Sequence, residues 1–403
     1  MKILFLTREY PPETLWGGPA ISYCNLAEGL ARLGHEVHVI TQAVGKQRDY
    51  LQNGVWIHRV GSDSRRYSTI ARLDYMLFAW LRYLRLAREG KIEVVDAPYW
   101  SAEGIILGLR REIPLVVSLQ SSAETSLQMD QGLPINQALS LRFLGLIARV
   151  VAKRADWLVA NSKKTYDQAM QQGFDRERIS IVYHSVNPVD PKATSSNARN
   201  LMGISEGTKI VLYVGRLEPR KGFDLLCSTA KDLEMYAPEC VLVFIGRDTL
   251  SGGRGDSYKA RVLSNLYQNH VPKNLIFKEY LDDKDLSSIY EACSVFVSPS
   301  RSESFGITII EALSHGKPVV VTRTGIAAEL DLRPPFGFVV PVNNTFQITQ
   351  AVLAALALSE EELVQVSYAN RRTALRFSSS QILAQALFAY KKAIEIKRGT
   401  TLT

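Results

Sequence analysis

The chain alternates between short apolar runs and longer stretches in which apolar residues recur with helical spacing. Short apolar strands separated by helical stretches are typical of a parallel sheet that is covered on both faces. In the first half of the chain, this pattern predicts strands at Lys2–Thr7, Glu36–Thr41, Ile92–Asp96, Leu115–Leu119, Asp156–Asn161 and Ile179–Tyr183. An α/β fold with a Rossmann-like first half is therefore predicted.

Helical stretches fill the spaces between these strands. The first follows the glycine pair Gly17-Gly18, others are predicted at Ser101–Arg111 and Asn136–Arg154, and Ser162 is predicted to cap a further helix. The glycines of the first loop do not spell GxGxxG, so the usual dinucleotide fingerprint is missing. This loop either presents bare backbone to a phosphate or is a plain turn between strand and helix.

The pattern restarts after Pro188–Glu206, a polar segment that we interpret as an interdomain linker. The second half is predicted to contain strands at Ile210–Val214, Val241–Ile245, Leu275–Lys278, Val295–Ser298, Val319–Thr322 and Phe338–Val340. These boundaries predict a first domain over residues 1–190, a second over residues 207–377, and a C-terminal helix over residues 378–397 that packs back on the first domain. Two such domains facing each other across a cleft would hold the ligand there.

Composition narrows the class of protein. The chain has 403 residues and a formal net charge of +8, which predicts two or three domains and favours anionic partners such as phosphates or an acidic membrane surface. No apolar stretch is long enough for a transmembrane helix, and the N-terminal one is too short for a signal peptide. Four scattered cysteines favour reduced thiols in a cytoplasmic protein over disulfides or a zinc site. No nucleic-acid-binding pattern is present, so no nucleic acid partner is expected.

Arg65–Lys91 is predicted as one long helix that carries seven basic residues against two acidic ones. It could lie at the surface of an anionic membrane, which would make the protein membrane-peripheral. It could also be a partly buried amphipathic helix with a basic solvent face, and we favour this second interpretation.

The stretch Ser298–Glu329 carries the candidate chemistry. It is predicted as strand, loop, helix and strand, with the helix at Ile307–Ser314, and it contains two glutamates, Glu303 and Glu311. The free N–H groups and positive dipole of a helix start favour a phosphate, and a glutamate one turn later could accept hydrogen bonds from both hydroxyls of a ribose. The alternative is that both glutamates are solvated surface charges.

Residues 213–222, with the sequence YVGRLEPRKG, taken together with Glu303 and Glu311, resemble the retaining glycosyltransferases of family 4, also called glycosyltransferase group 1. The resemblance covers essentially the whole chain. It implies the GT-B fold, in which two Rossmann-like domains face each other across a cleft and a C-terminal helix returns to the first domain.

The resemblance also implies roles for individual residues. Arg216 and Lys221 would hold the donor diphosphate, Glu311 the ribose and Glu303 the transferred sugar. The donor-binding residues implied are Gly17, Gly18, Arg216, Lys221, Glu303, Phe305, Gly306, Ile307, Thr308 and Glu311, and the catalytic residues implied are Glu303, Arg216, Lys221 and Gln120. No cofactor and no metal are expected. Asp283-Lys284-Asp285 spells DxD, but its place at the opening of a helix favours N-capping over a metal site.

Three positions depart from the family pattern. Gln120 stands where the family usually has a histidine near the reacting centre of the donor sugar, and glutamine cannot carry a positive charge. His184-Ser185-Val186-Asn187 replaces Asn-Gly-Val-Asp, and Glu279 replaces a glycine.

The resemblance implies transfer of a sugar from a nucleotide diphosphate sugar, with UDP favoured over GDP or ADP, to a hydroxyl-bearing sugar, glycan or lipid-linked glycan, with retained anomeric configuration. Gln120 leaves open a non-catalytic or weakly active binder of sugar nucleotides. The hypothesis of a nicotinamide-dependent oxidoreductase is supported only by the Rossmann-like strands, and the missing GxGxxG motif argues against it.

Overall fold

The computed structural model describes residues 1–14, 18–61, 69–99, 104, 112–119, 135–186, 197–250, 256–268 and 271–399. Contacts between residues divide the chain into two compact units. The first unit comprises Met1–Ser185 and Ser379–Thr403, and the second comprises Val186–Ser378.

The first unit contains an eight-stranded sheet with the strand order β3-β4-β2-β1-β5-β6-β7-β8. Its strands are β1 (Lys2–Leu6), β2 (Glu36–Gln42), β3 (Arg48–Gln52), β4 (Val55–Val60), β5 (Val94–Pro98), β6 (Leu115–Leu119), β7 (Trp157–Ala160) and β8 (Ile179–Ile181). All neighbouring strands are parallel except β3 and β4. The six predicted strands of this half are confirmed, because helices on both faces favour continuous apolar runs.

The antiparallel hairpin of β3 and β4 is missing from the prediction. Its turn is Asn53-Gly54, where both residues have positive φ angles of 51° and 81°. Asn-Gly between two strands is a strong short-range hairpin signal, so the information was in the sequence. Strand β3 shows no apolar run, because this edge strand is largely exposed and begins with the charged residues Arg48 and Asp49.

Helices cover both faces of this sheet. They are α1 (Gly18–Arg32), α2 (Thr69–Arg88), α3 (Ile135–Arg154), α4 (Lys163–Gln171) and α13 (Ser379–Lys397). Helices α1 and α13 share one core with Phe5 of β1, whereas α2 and α3 share the core that contains Leu4 and Leu6. Since Phe5 lies on the opposite face of β1 from Leu4 and Leu6, the two helix pairs cover opposite faces. The prediction that the C-terminal helix packs on the first domain is confirmed.

The second unit contains a six-stranded parallel sheet with the order β11-β10-β9-β12-β13-β14. Its strands are β9 (Lys209–Val214), β10 (Cys240–Ile245), β11 (Leu275–Lys278), β12 (Val295–Ser298), β13 (Val319–Thr322) and β14 (Gly337–Val340). Its helices are α5 (Asn197–Met202), α6 (Phe223–Ser228), α7 (Ala230–Tyr236), α8 (Tyr258–Tyr267), α9 (Asp283–Ala292), α10 (Ile307–Ser314), α11 (Thr345–Leu356) and α12 (Glu360–Ala374). All six predicted strands are confirmed.

The segment predicted as a linker contains helix α5. Residues 187–196 lie outside the described residues, but Ala198 and Met202 of α5 are buried. The Arg199 guanidinium donates hydrogen bonds to the carbonyls of Ser205 and Thr208 at 3.0 and 2.9 Å. The end of the predicted linker therefore belongs to the second unit, because these contacts fix it there.

Two predicted helix caps have different outcomes. Ser162 caps α4 as predicted, since its hydroxyl accepts a hydrogen bond from the Thr165 amide at 3.1 Å. Helix α9 is capped by Asp282, which accepts a hydrogen bond from the Asp285 amide at 2.8 Å, so the capping residue is the one directly before Asp283-Lys284-Asp285. The helix predicted at Ser101–Arg111 lies outside the described residues, apart from residue 104.

None of the helices in the described parts of the chain is both long and apolar enough to cross a membrane. The four cysteines are free thiols.

Candidate active site

The candidate site lies in the second unit, where strands β9 and β12 end side by side. The chain leaves β9 towards β10 on one side of the sheet, and β12 lies on the other side. Ligands of open parallel sheets bind at such a switch in strand order, beyond the carboxyl ends of the strands. Arg216 and Lys221 follow β9, and Glu303 follows β12.

Glu303 is buried among positively charged and hydroxyl groups. Its Oε1 atom accepts hydrogen bonds from the Lys221 ammonium at 2.5 Å and the Ser300 hydroxyl at 2.9 Å, and its Oε2 lies 3.5 Å from the Arg220 guanidinium. Burial alone would raise the pKa of Glu303, but Lys221, Arg220 and Ser300 outweigh it and lower this pKa to about 2. Glu303 is therefore ionised at every physiological pH.

Further charged residues are linked to Glu303 through Arg220. The buried carboxylate of Glu218 lies 2.7 Å from Arg220 and 3.2 Å from Arg216. The resulting series Arg216, Glu218, Arg220, Glu303 and Lys221 alternates in sign and contains three cations against two carboxylates. We call these five residues the charge network. Its excess positive charge and the partial exposure of the Arg216 side chain suit an anionic ligand.

Backbone geometry holds the network together. Gly222 has a φ of +69°, and a Cβ atom there would lie 2.1 Å from the carbonyl oxygen of Pro299. Only glycine fits this close approach of the two loops that carry Lys221 and Glu303. Arg301 adds a side-chain link, because its guanidinium binds both carboxylate oxygens of Asp224 at 2.8 and 2.7 Å and the Pro219 carbonyl at 2.6 Å.

Helix α10 begins directly beyond Glu303. Gly306 forms its N-cap with a φ of +100°, no side chain caps this end, and Ile307 and Thr308 form its first turn. Its first amides therefore have no side-chain cap and can bind an anion. Phe305 is buried and does not offer its ring to a ligand. The structure thus brings together the predicted residues Arg216, Lys221, Glu303, Phe305, Gly306, Ile307, Thr308 and Glu311.

Glu311 lies one turn into α10 beside an aromatic pair. The Tyr290 hydroxyl donates a hydrogen bond to its Oε2 atom at 2.8 Å, and the Tyr290 ring stacks on His315 at 5.1 Å. His315 is held by Ser287 at 3.0 Å. Burial raises the pKa of Glu311, and the hydrogen bond from Tyr290 partly offsets this. The glutamate is thereby oriented by one oxygen while the other can accept hydrogen bonds from a ligand.

Two predicted site residues, Gly17 and Gln120, lie outside the described residues. Gly18 is the first residue of α1 in the first unit. Upstream of it, Arg59, a fully buried residue of β4, holds the described segment at Tyr10 and Pro11, because its guanidinium donates hydrogen bonds to both of their carbonyls at 3.0 Å. Sequence reasoning missed Arg59, because an arginine in a strand gives no signal of such contacts.

The first unit contains a small cavity of about 40 Å³ whose lining includes Asp96 and His184. Asp96 is buried and accepts hydrogen bonds from Ser118, Tyr390 and Tyr23 at 2.8, 3.0 and 3.2 Å. Burial raises the pKa of Asp96 to about 6, although these three hydroxyls oppose the shift.

His184 is also buried at this cavity, where it is hydrogen-bonded to Ser22 and to Asn161. Burial lowers the pKa of His184 to about 4, so it is neutral at physiological pH. Within the described residues, no cluster of three or more His, Cys, Asp or Glu side chains could hold a metal ion.

Comparison with known protein families decides the class. Residues 16–190 match the family model of Glycosyltransferase Family 4, and residues 195–373 match that of Glycosyl transferases group 1. The chain is a family 4 glycosyltransferase.

Similar proteins agree with this membership. A D-inositol 3-phosphate glycosyltransferase from Catenulispora acidiphila is 27% identical to this family 4 glycosyltransferase over 411 residues, which cover 95% of this chain and 92% of the relative. Sucrose-phosphate synthase from Thermosynechococcus elongatus has the same fold, with a TM-score of 0.79 at 20% identity over 98% of this chain and 100% of the other. HepE from Anabaena in complex with UDP-glucose gives a TM-score of 0.72 at 19% identity over 100% of both chains. These likenesses establish the two Rossmann-like domains of the GT-B fold.

Proposed function

We propose that this family 4 glycosyltransferase transfers a sugar from a nucleoside diphosphate sugar to a hydroxyl group of an acceptor, with retention at the anomeric carbon. The observation that carries this proposal is the charge network beside the uncapped start of α10. Three cations and a set of free helix amides suit a diphosphate, which gains negative charge as the bond to the sugar breaks.

The diphosphate would interact with Arg216, Lys221 and the first amides of α10. Arg216 is the most exposed cation of the series, and its planar guanidinium can bind two phosphate oxygens at once. Lys221 would share its ammonium between Glu303 and the phosphate. Stabilising the leaving group in this way lowers the barrier to transfer, because these charges are already in place before the reaction.

Glu303 would bind the hydroxyls of the transferred sugar. A carboxylate with a pKa of about 2 is a weak base, and Glu303 is already bound by Lys221, Arg220 and Ser300. Both facts argue against a role as nucleophile or general base. The proton of the acceptor hydroxyl would then pass to the leaving phosphate. We expect no metal or other cofactor, because Arg216, Lys221 and the first amides of α10 would together stabilise the charge of the diphosphate.

Glu311 would hold the ribose of the nucleotide through its free oxygen. A UDP-sugar is the first donor to test, because the structure of HepE, a protein of the same fold, contains UDP-glucose. Inositol 3-phosphate is a reasonable first acceptor, since it appears in the name of the Catenulispora relative. Four free cysteines support a cytoplasmic setting for this reaction.

The test is a transfer assay with UDP-, GDP- and ADP-sugars against a panel of sugar, glycan and inositol phosphate acceptors. Released nucleotide and the anomeric configuration of the product are measured, with Lys221→Ala as the inactive comparison. The proposal predicts nucleotide release with one donor and a product that keeps the donor's configuration. Nucleotide binding without any transfer across the panel would instead support a non-catalytic binder, and an inverted product would contradict retention.

A further inference from the structure

Helices α2 and α3 expose apolar side chains on their outer sides. These are Leu73, Leu77 and Leu81 of α2, and Phe143, Leu146 and Val150 of α3, all between 50% and 65% exposed. The leucines of α2 are spaced by four residues, so they form one stripe along the helix. In a soluble protein single exposed apolar residues need no explanation, but two such stripes on neighbouring elements do.

The two stripes lie on the outer sides of helices that cover the same face of the sheet. The inner sides of α2 and α3 contribute Tyr75, Ala79, Ala148 and Val151 to one core, which contains Leu4 of β1. Since both helices lie on this face, their outer sides point to the same side of the first unit. We call the six exposed side chains together with the basic residues of the two helices the α2–α3 surface.

The charges of this surface are mostly positive. Its exposed cations are Arg85, Arg88, Arg142, Arg149, Lys153 and Arg154. Helix α3 contains no acidic residue, and α2 contains only Asp74. Within the described parts of the chain, no carboxylate forms an ion pair with Arg85, Arg88, Arg142 or Lys153; among the nearest acidic groups, Glu89 pairs with Lys91 and Asp49 pairs with Arg82.

We propose that the α2–α3 surface docks this protein on an anionic lipid bilayer. Exposed apolar side chains interspersed with many cations and few acids suit an interfacial surface, since the apolar groups enter the acyl boundary while the cations bind lipid phosphates. Charge complementarity favours this partner over a second copy of the chain, because two such surfaces would repel each other. Helix α2 is partly buried with a basic solvent face, as the favoured sequence-based interpretation has it, and Leu73, Leu77 and Leu81 lie exposed on its outer side as well.

Vesicle flotation tests the proposal. The full-length protein is mixed with vesicles of phosphatidylglycerol and phosphatidylcholine or of phosphatidylcholine alone, at low and high salt. We expect binding to the anionic vesicles only, with a loss on raising the salt concentration because screening weakens surface charges. Equal binding to neutral vesicles, or no binding to either, would overturn the proposal.

Two double variants identify the surface. Arg142→Glu with Lys153→Glu should lower vesicle partitioning by about thirtyfold, and Leu77→Ser with Phe143→Ser by about tenfold. The matched controls lie in the second unit, namely Lys273→Glu with Arg372→Glu, and Val364→Ser with Tyr368→Ser, and all four of these residues are exposed as well. Controls that lose as much binding as the surface variants would place the contact elsewhere.

The outcome is independent of the proposed reaction. All variants are checked for unchanged thermal unfolding and unchanged nucleotide binding, because the α2–α3 surface contains no donor-site residue. If the wild type is a dimer in solution and the surface variants are monomers, the surface is a contact between two copies and the lipid proposal is wrong.

Discussion

The Lys221 ammonium lies 2.5 Å from Oε1 of Glu303, although 82 positions separate the two residues in the chain. Strands β9 and β12 make this possible, because they are neighbours in the sheet and end at the same edge. The pair explains why Glu303 stays ionised while buried and why a cation is fixed at the proposed phosphate position.

Replacing Lys221 with alanine should abolish transfer. The change removes a cation from the leaving diphosphate and takes away the hydrogen bond that Lys221 donates to Glu303, so we expect kcat/KM to fall by at least about a hundredfold. The folded state should lose up to about 3 kcal/mol, because a buried carboxylate loses a partner. Steady-state kinetics and urea unfolding measure the two effects, with Lys273→Ala as an exposed lysine control.

The double variant Lys221→Met with Glu303→Gln separates stability from activity. Removing both charges together should restore most of the stability lost in Lys221→Ala, while transfer stays absent. If activity returned with stability, the lysine would have only a structural role.

Gly222→Ala should destabilise the second unit more than Gly203→Ala does. Both glycines have similar positive φ angles of 69° and 66°, so the backbone strain of alanine is about the same. Only at Gly222 would the new Cβ meet another atom, the Pro299 oxygen at 2.1 Å, whereas nothing lies within 4 Å at Gly203. Urea unfolding should show about 1–2 kcal/mol lost at Gly203 and clearly more at Gly222. Equal losses would mean that the two loops can separate without cost.

Tyr290→Phe should weaken nucleotide binding, and more so at acidic pH. Loss of the hydroxyl removes a hydrogen bond that lowers the pKa of Glu311, so this pKa should rise further. A protonated Glu311 would accept ribose hydroxyls poorly. Calorimetry should show about a three- to tenfold weaker affinity near neutral pH and a larger loss near pH 6. Tyr236→Phe, an exposed tyrosine of the same unit, is the control, and a loss that did not depend on pH would contradict the link to Glu311.

How well the sequence predicts a structural feature depends on how far apart in the chain the interacting residues lie. The strands from Ile210 onwards and the helix Ile307–Ser314 follow from local apolar patterns, and the motif around Arg216 and Lys221 points to the site through its family resemblance. The partners of Glu303 could not be predicted, since they depend on which strands become neighbours. Arg220 and Arg301 were overlooked for the same reason, as both act on residues from another loop.

The buried carboxylate Asp96 should make the first unit more stable in mild acid than at neutral pH. Burial raises its folded-state pKa to about 6, above the value in an unfolded chain, so the folded state binds the proton more tightly. Stability should therefore fall as the pH rises from about 4 to about 6, by up to about 3 kcal/mol relative to Asp96→Asn, which cannot titrate.

Urea unfolding of wild type and Asp96→Asn at several pH values measures this difference. The exposed residue Asp331 supplies the control, and Asp331→Asn should leave the pH dependence of the wild type unchanged. A constant difference between wild type and Asp96→Asn across this range would show that Asp96 does not titrate there.

Calorimetric titration of UDP, GDP and ADP into the wild type and into Lys221→Ala tests the central claim most directly. The charge network predicts that at least one diphosphate binds the wild type and that its affinity falls by about tenfold or more in the variant. A nucleoside diphosphate that bound both proteins equally well, or the failure of all three to bind the wild type, would contradict a diphosphate site at Lys221.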